Sequence, residues 1–286
     1  MIPTNKQDML ITLRLIRRNI LSIAGIIIVS LFIITSLFVA FTGILPYDPN
    51  EIDMGRRLLP PSLTHLFGTD HLGRDIFSRV LAAAPLDLTV AFTVVSLSLI
   101  IGLIIGSLAG YYGGKIDQLL MRITDVFLAF PPIVLAVTVA VALGPGISNL
   151  ILALLIVWWP IYSRMARAGA LSIKESFFVK AAKISGLNSL TIIRRHIIPN
   201  IISTLFIYAT LDMGTVILYA SVLSYLGLGA QPPQSEWGRM VFEGQSYLTI
   251  AWWVPLIPGL VIFFVALGFN LMGDALRDII DPRYRR

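Results

Sequence analysis

Long stretches without a single charged side chain alternate along this chain with short stretches where charges crowd together. No charge falls between Arg18 and Asp48, between Asp87 and Lys115, between Asp125 and Arg164, or between Glu243 and Asp274. Only Asp212 interrupts the run from Arg195 to Glu236. About 20 apolar helical residues cross a bilayer core of about 30 Å. Every run reaches that length, and the one after Asp125 is long enough for two crossings. The pattern predicts six spans: Ile20–Leu45, Leu88–Gly110, Val126–Leu143, Ile147–Tyr162, Ile197–Leu223 and Trp252–Met272. Gly144-Pro145-Gly146 reads as a turn and makes the third and fourth a tight hairpin. A large soluble core is the alternative, but its helices would each carry a polar face.

Three segments are too polar for membrane helix. They are Pro46–Ala84, with Pro60-Pro61, the basic Arg164–Arg195, and Gly227–Gly244, with Pro232-Pro233. The expectation is an all-α membrane protein. A cytoplasmic segment 1–19 precedes one membrane domain, 20–286, with an external segment 46–84 and an internal loop 171–200. No internal repeat or separate soluble domain is expected.

Charge sets the orientation. With the N-terminus inside, all but five of the 22 Lys and Arg fall on the inner side; the five are Arg56, Arg57, Arg74, Arg79 and Arg239. The positive-inside rule then places both termini in the cytoplasm. The net charge of +6 follows from this topology and does not point to nucleic acid. The first apolar run, Asn19–Tyr47, exceeds the roughly 7–15 residues of a signal-peptide core and is expected to be a retained span. Cysteine is absent, which excludes disulfides and thiolate chemistry in this chain.

The internal loop reads LSIKESFFVKAAKISGLNSLTIIRRHIIPN from Leu171 to Asn200. Ser172, with Glu175 three residues on, has the spacing of a capping box and predicts a helix from about Ile173. Phe177, Ala181 and Ile184 then share a face. Gly186 stops the helix in the left-handed conformation, and a second short helix starts near Asn188 or Ser189. Two readings remain open on these grounds: an amphipathic anchor lying in the membrane interface, or a docking element for a cytoplasmic partner.

Ala181-Ala182, Gly186, Ile192-Ile193 and Arg195-His196-Ile197-Ile198-Pro199-Asn200 resemble the coupling loop of ABC importer permeases. The Glu usual in that motif is Lys180 here. Phe67–Arg79 resembles the GTD-x-x-GRD-x-x-SR block of the peptide/nickel permease branch. Ser224–Gly229, Gln231-Pro232-Pro233, Glu236-Trp237-Gly238 and Phe269–Asp278 with Asp281-Pro282-Arg283 resemble its later blocks. Ala84-Pro85-Leu86-Asp87 departs from the branch, which usually has a small-Arg-x-Ser sequence there.

The resemblance covers about residues 10–286 and implies the type I ABC importer permease fold in a bacterial or archaeal cell membrane. It implies a related second permease subunit, two ATP-binding subunits that hold ATP and Mg, and an extracytoplasmic solute-binding protein. The ATPase-coupling residues would be Lys180, Ala181, Ala182, Gly186, Arg195, His196 and Pro199. Short peptides are the first substrate class, with nickel or a nickel chelate second.

Other residues have their own physical reading. Asp70, Arg74, Asp75 and Arg79 suggest a salt-bridged external cap that receives the binding protein, with Arg74–Ser78 and Asp75–Arg79 as neighbours if helical. Asp212, mid-span, should face the bundle interior or a pore. Gly102, Gly106 and Gly110 permit close helix packing. His65 and His71 make only a weak metal pattern, and no metal, cofactor or catalytic residue is expected in this chain. No G-x-x-x-x-G-K-[ST] occurs, so no phosphate cradle for ATP is present. A secondary transporter or channel is the rival class; it would need more buried acids and no docking loop.

Overall fold

The computed structural model describes residues 20–280. Expectations for residues 1–19 and 281–286, including the basic N-terminal segment and Asp281-Pro282-Arg283, lie outside the described residues. Ten α-helices form the described chain: α1 (Ile20–Thr42), α2 (Ile76–Tyr112), α3 (Gly114–Leu128), α4 (Pro132–Leu143), α5 (Ile147–Lys174), α6 (Phe177–Ile184), α7 (Ser189–Ile192), α8 (Ile198–Tyr225), α9 (Trp237–Gly244) and α10 (Trp253–Ile280). Five long apolar helices are each able to cross a membrane: α1, α2, α5, the continuous α7–α8 unit and α10.

The expected third span is not one straight helix. Its residues divide between α3 and α4, which meet at 86°. Pro131 and Pro132 cause the break. Proline lacks the N–H that continues a helix, and it drives the residue before it out of the α region. At about 18 Å, the 12-residue α4 is too short to cross alone. The sixth crossing therefore exists only as a bent pair. Arg167 of α5 ties α3 in place by donating from Nη2 to Asp117 at 2.6 Å.

The central packing is α2 against α5. The four-residue glycine spacing places Gly102 against Tyr162 and Ser163, Gly106 against Ser163 and Ala166, and Gly110 against Ala170. A Cβ on Gly102 would lie 2.3 Å from that of Tyr162, and one on Gly106 would lie 2.2 Å from the Ser163 carbonyl oxygen. The two backbones can approach this closely only without side chains there. α8 packs against α2, α5 and α10, and α1 lies along α10.

Candidate functional site

The cap expected on the outer side is built around the start of α2. That helix begins at Ile76, twelve residues earlier than the expected span, so the last stretch of segment 46–84, from Ile76 on, is not loop. Asp75 is its N-cap: Oδ2 accepts from the Ser78 N–H and from Ser78 Oγ, both at 2.8 Å. This satisfies an amide that the first helical turn leaves unpaired. The other oxygen of Asp75 meets His65 Nδ1 at 2.9 Å, and His65 in turn lies against the Tyr47 ring.

The expected neighbours Arg74–Ser78 and Asp75–Arg79 do not form, because Arg74 precedes the helix and Asp75 caps it. Asp70 collects the cations instead. Its Oδ2 accepts from Arg74 Nε and from Arg79 Nη1, each at 2.7 Å. Its Oδ1 accepts from the N–H groups of Leu72 and Arg74, holding the Gly73 turn in shape.

Glu243 at the end of α9 completes the cluster. Its Oε2 accepts from Arg74 Nη2 at 2.8 Å and Arg79 Nη1 at 3.1 Å, and its Oε1 accepts from Arg239 Nε at 3.2 Å. Burial pushes the Glu243 carboxyl up, but Arg79 and Arg74 outweigh that and hold it below the usual carboxylate range. Neither Glu243 nor Arg239 was a candidate from sequence. Glu243 lies 169 residues from Arg74, and pairing at that distance leaves no local pattern.

Asp70, His71 and Glu243 offer ligand atoms within 4.8 Å of one another. Both carboxylates are already paired with buried guanidiniums, which would sit against any added cation. This donor set does not fit a metal ion. Burial lowers the His71 basicity, and its ring stacks on Tyr247 with centroids 5.5 Å apart.

A second junction ties α9 to α2. Trp237 donates its backbone N–H to Asp87 at 3.1 Å and its indole N–H to the Val80 carbonyl at 3.1 Å. Glu236 caps α9 by accepting from the N–H groups of Gly238 and Arg239. Burial raises the Glu236 pKa above its ordinary value. Asp87 is buried in this joint.

The inner loop is organised differently. α5 runs on to Lys174, so Ser172 lies inside it and the predicted capping box does not form. The short helix α6 starts at Phe177, after Ser176, whose Oγ turns back to the Ile173 carbonyl at 2.6 Å. Gly186 has φ +81° and ends the helix as expected, and Asn188 caps α7 by accepting from the Thr191 N–H at 2.8 Å.

Phe177, Ala181 and Ile184 share one face of α6 and all three are exposed. Only Val179 turns inward. Lys180, standing where the family Glu would be, reaches Glu175 at 3.2 Å with both side chains exposed. Such a pair is worth about 0–1 kcal/mol. Ala182 is half-buried and Arg195 exposed. His196 sits against the Phe178 ring within one wide π turn, Ile193–Ile197, and accepts from Asn200 Nδ2 at its carbonyl. Pro199 lies in the first turn of α8. Ile192, Ile193 and Ile197 are buried and fix the loop to the bundle.

A bundle of membrane-length helices, a closed charged cap and a short helix with an exposed apolar face are consistent with a membrane permease subunit. The comparisons agree. Residues 102–286 match the family described as the inner membrane component of binding-protein-dependent transport systems. The chain belongs to this family.

Among its relatives is the dipeptide transport system permease of Alkalihalophilus pseudofirmus, 43% identical over 270 residues and covering 94% of this chain and 88% of that protein. The glutathione transport system permease of Escherichia coli O6:K15:H31 is 43% identical over 273 residues, covering 95% and 89%. The fold is that of the inward-facing MetNI methionine ABC transporter permease, with a TM-score of 0.57 at 20% identity over 71% of this chain and 97% of that one. The chain is thus a multi-pass inner-membrane transport subunit.

Proposed function

We propose that this chain forms half of the translocation pathway of an ATP-driven importer for short peptides. A related permease would supply the other half, two ATP-binding subunits the energy, and an external binding protein the peptide. The observation that carries this reading is α6. It is a short helix with an exposed apolar face, ended by a left-handed glycine and rooted in the bundle by Ile192, Ile193 and Ile197. Apolar side chains held out on so small an element fit a groove in another protein. The relatives named for dipeptide and glutathione transport favour peptide as the substrate class. Both termini are taken as cytoplasmic from the Lys and Arg distribution, and the outer cap is the surface offered to the binding protein.

One experiment tests the docking. Ala181→Arg places bulk and charge on the exposed face without touching the chain's own core. Membrane abundance should stay near normal, while co-purification of the ATP-binding subunits and peptide uptake are both lost. Normal association and uptake would reduce α6 to an interfacial anchor. In the same cells, a membrane-impermeant thiol reagent should label Thr64→Cys and spare Lys174→Cys; the reverse would invert the topology.

A further inference from the structure

Asp212 lies midway along the 28-residue α8, about 20 Å from either end. α8 packs against α2, α5, α9 and α10, with a lighter contact to α4, and one strip of its surface stays only partly covered. That strip carries Thr204, Tyr208, Asp212, Thr215 and Tyr219, each exposed or partly exposed. Their spacings of four, four, three and four residues form a single stripe along the helix. A polar stripe with a carboxylate at its centre is unstable against lipid. It belongs against an aqueous pathway.

The carboxylate is oriented. Tyr162 of α5 donates its hydroxyl to Asp212 Oδ2 at 2.7 Å. Behind it, Trp158 meets the Tyr219 ring edge-on at 4.9 Å. Among the described residues no Lys or Arg pairs with Asp212, whereas Asp70, Asp117 and Asp125 each have an Arg. Its charge is therefore available to a mobile cation.

We infer that Asp212 is a cation-recognising side chain of the pathway and receives the α-ammonium group of the passing peptide. This rests on the peptide-import reading above. The held carboxylate would favour entry of the positively charged end, and the flanking Thr and Tyr hydroxyls would replace water around the peptide bond.

The absence of cysteine from this chain allows a direct test in the assembled transporter. Thr215→Cys places a thiol one turn from Asp212. Its modification by a trimethylammonium-bearing methanethiosulfonate is compared with that by a sulfonate-bearing one, each normalised to a small free thiol in solution. The cationic reagent should be favoured roughly tenfold, as expected for one nearby carboxylate in a partly shielded site. Adding Asp212→Asn, which still accepts from Tyr162, should bring the ratio close to unity while assembly with the partners stays normal.

The peptide assignment has its own arm. Dialanine, supplied with the binding protein, should slow modification, and N-acetyl-dialanine should not. A thiol that reacts with neither reagent in any nucleotide state would show the stripe covered by a partner and overturn the inference, as would a charge preference unchanged by Asp212→Asn. Protection by a nickel salt but not by dialanine would replace the ammonium with a metal cation. Charge preference in a transporter that takes up no peptide would overturn the import reading and leave the cation site standing.

Discussion

The charged cap at the start of α2 and the loop around α6 both carry dense charge, yet they solve opposite problems. Asp70, Arg74, Asp75 and Arg79 are each at most 4% exposed, while Phe177 and Ile184 on α6 are 92% and 88% exposed. In the cap, charges are buried and answered within the chain by Glu243, Arg239, His65 and backbone amides. In the loop, charges lie in solvent and apolar groups are left unanswered. The cap is closed by its own residues; the loop leaves an apolar face that, in the reading proposed here, another protein covers. Damage to the cap should therefore appear as lost stability, and damage to the loop as lost association in a stable subunit.

The largest effect should come from Arg79. Replacing it with Ala leaves Asp70 and Glu243 sharing fewer cations in a buried site. Breaking such a pair costs about 3–5 kcal/mol. Membrane abundance and the melting temperature of the detergent-purified complex should both fall, and ATPase-subunit association only in proportion. A stable variant with normal abundance and selective loss of docking would erase the distinction between the regions.

A smaller effect on stability is expected at Gly186. A Cβ there meets nothing within 4 Å, so a side chain clashes with no part of this chain. Its φ of +81° still costs a non-glycine residue about 1–2 kcal/mol. Gly186→Val should leave abundance near normal and abolish uptake, whereas Gly186→Asn, which tolerates this conformation better, should retain more. Equal activity of the two would place the demand on space rather than on backbone shape.

The smallest effect concerns pH. The folded-state pKa of Glu243 is depressed, so its stabilising contribution is present above its unfolded value of about 4.3 and is lost as pH falls through the folded value. The melting-temperature gap between wild type and Glu243→Gln should be constant near neutrality and close progressively below about pH 4. A gap that widens on acidification would show that Glu243 is not held as an ion pair.

The two regions also differ in how far sequence revealed them. The spans were legible because charge-free runs are long and local. Gly186 and Asn188 were legible because a left-handed stop and an N-cap are local devices. The break at Pro131-Pro132 was hidden, since hydropathy continues across it. The start of α6 was displaced because nothing between Ile173 and Phe177 forbids α5 from running on. In the cap, the four charged residues singled out from sequence are buried together, but with other partners than their spacing suggested. Asp75 serves the amide and hydroxyl of Ser78 and a histidine, and the cation cluster is closed by Glu243 from across the fold. Asp212 was legible as unusual; the hydroxyl that orients it, on Tyr162, was not.

The 37 residues of α2 make a rod about 55 Å long, well beyond the thickness of a bilayer core. One end is bolted into the outer cap through Asp75, and the other meets α5 where Lys174 Nζ donates to the Gly110 carbonyl at 3.1 Å. The glycine ladder leaves no compliant side chains between the two helices along the inner half of that rod. A tilt of about 10° displaces the two ends by about 5 Å in opposite directions. If α2 and α5 tilt as one body about a pivot in the membrane, a displacement beside Lys174, next to α6, would reach the Asp75 end reversed in direction.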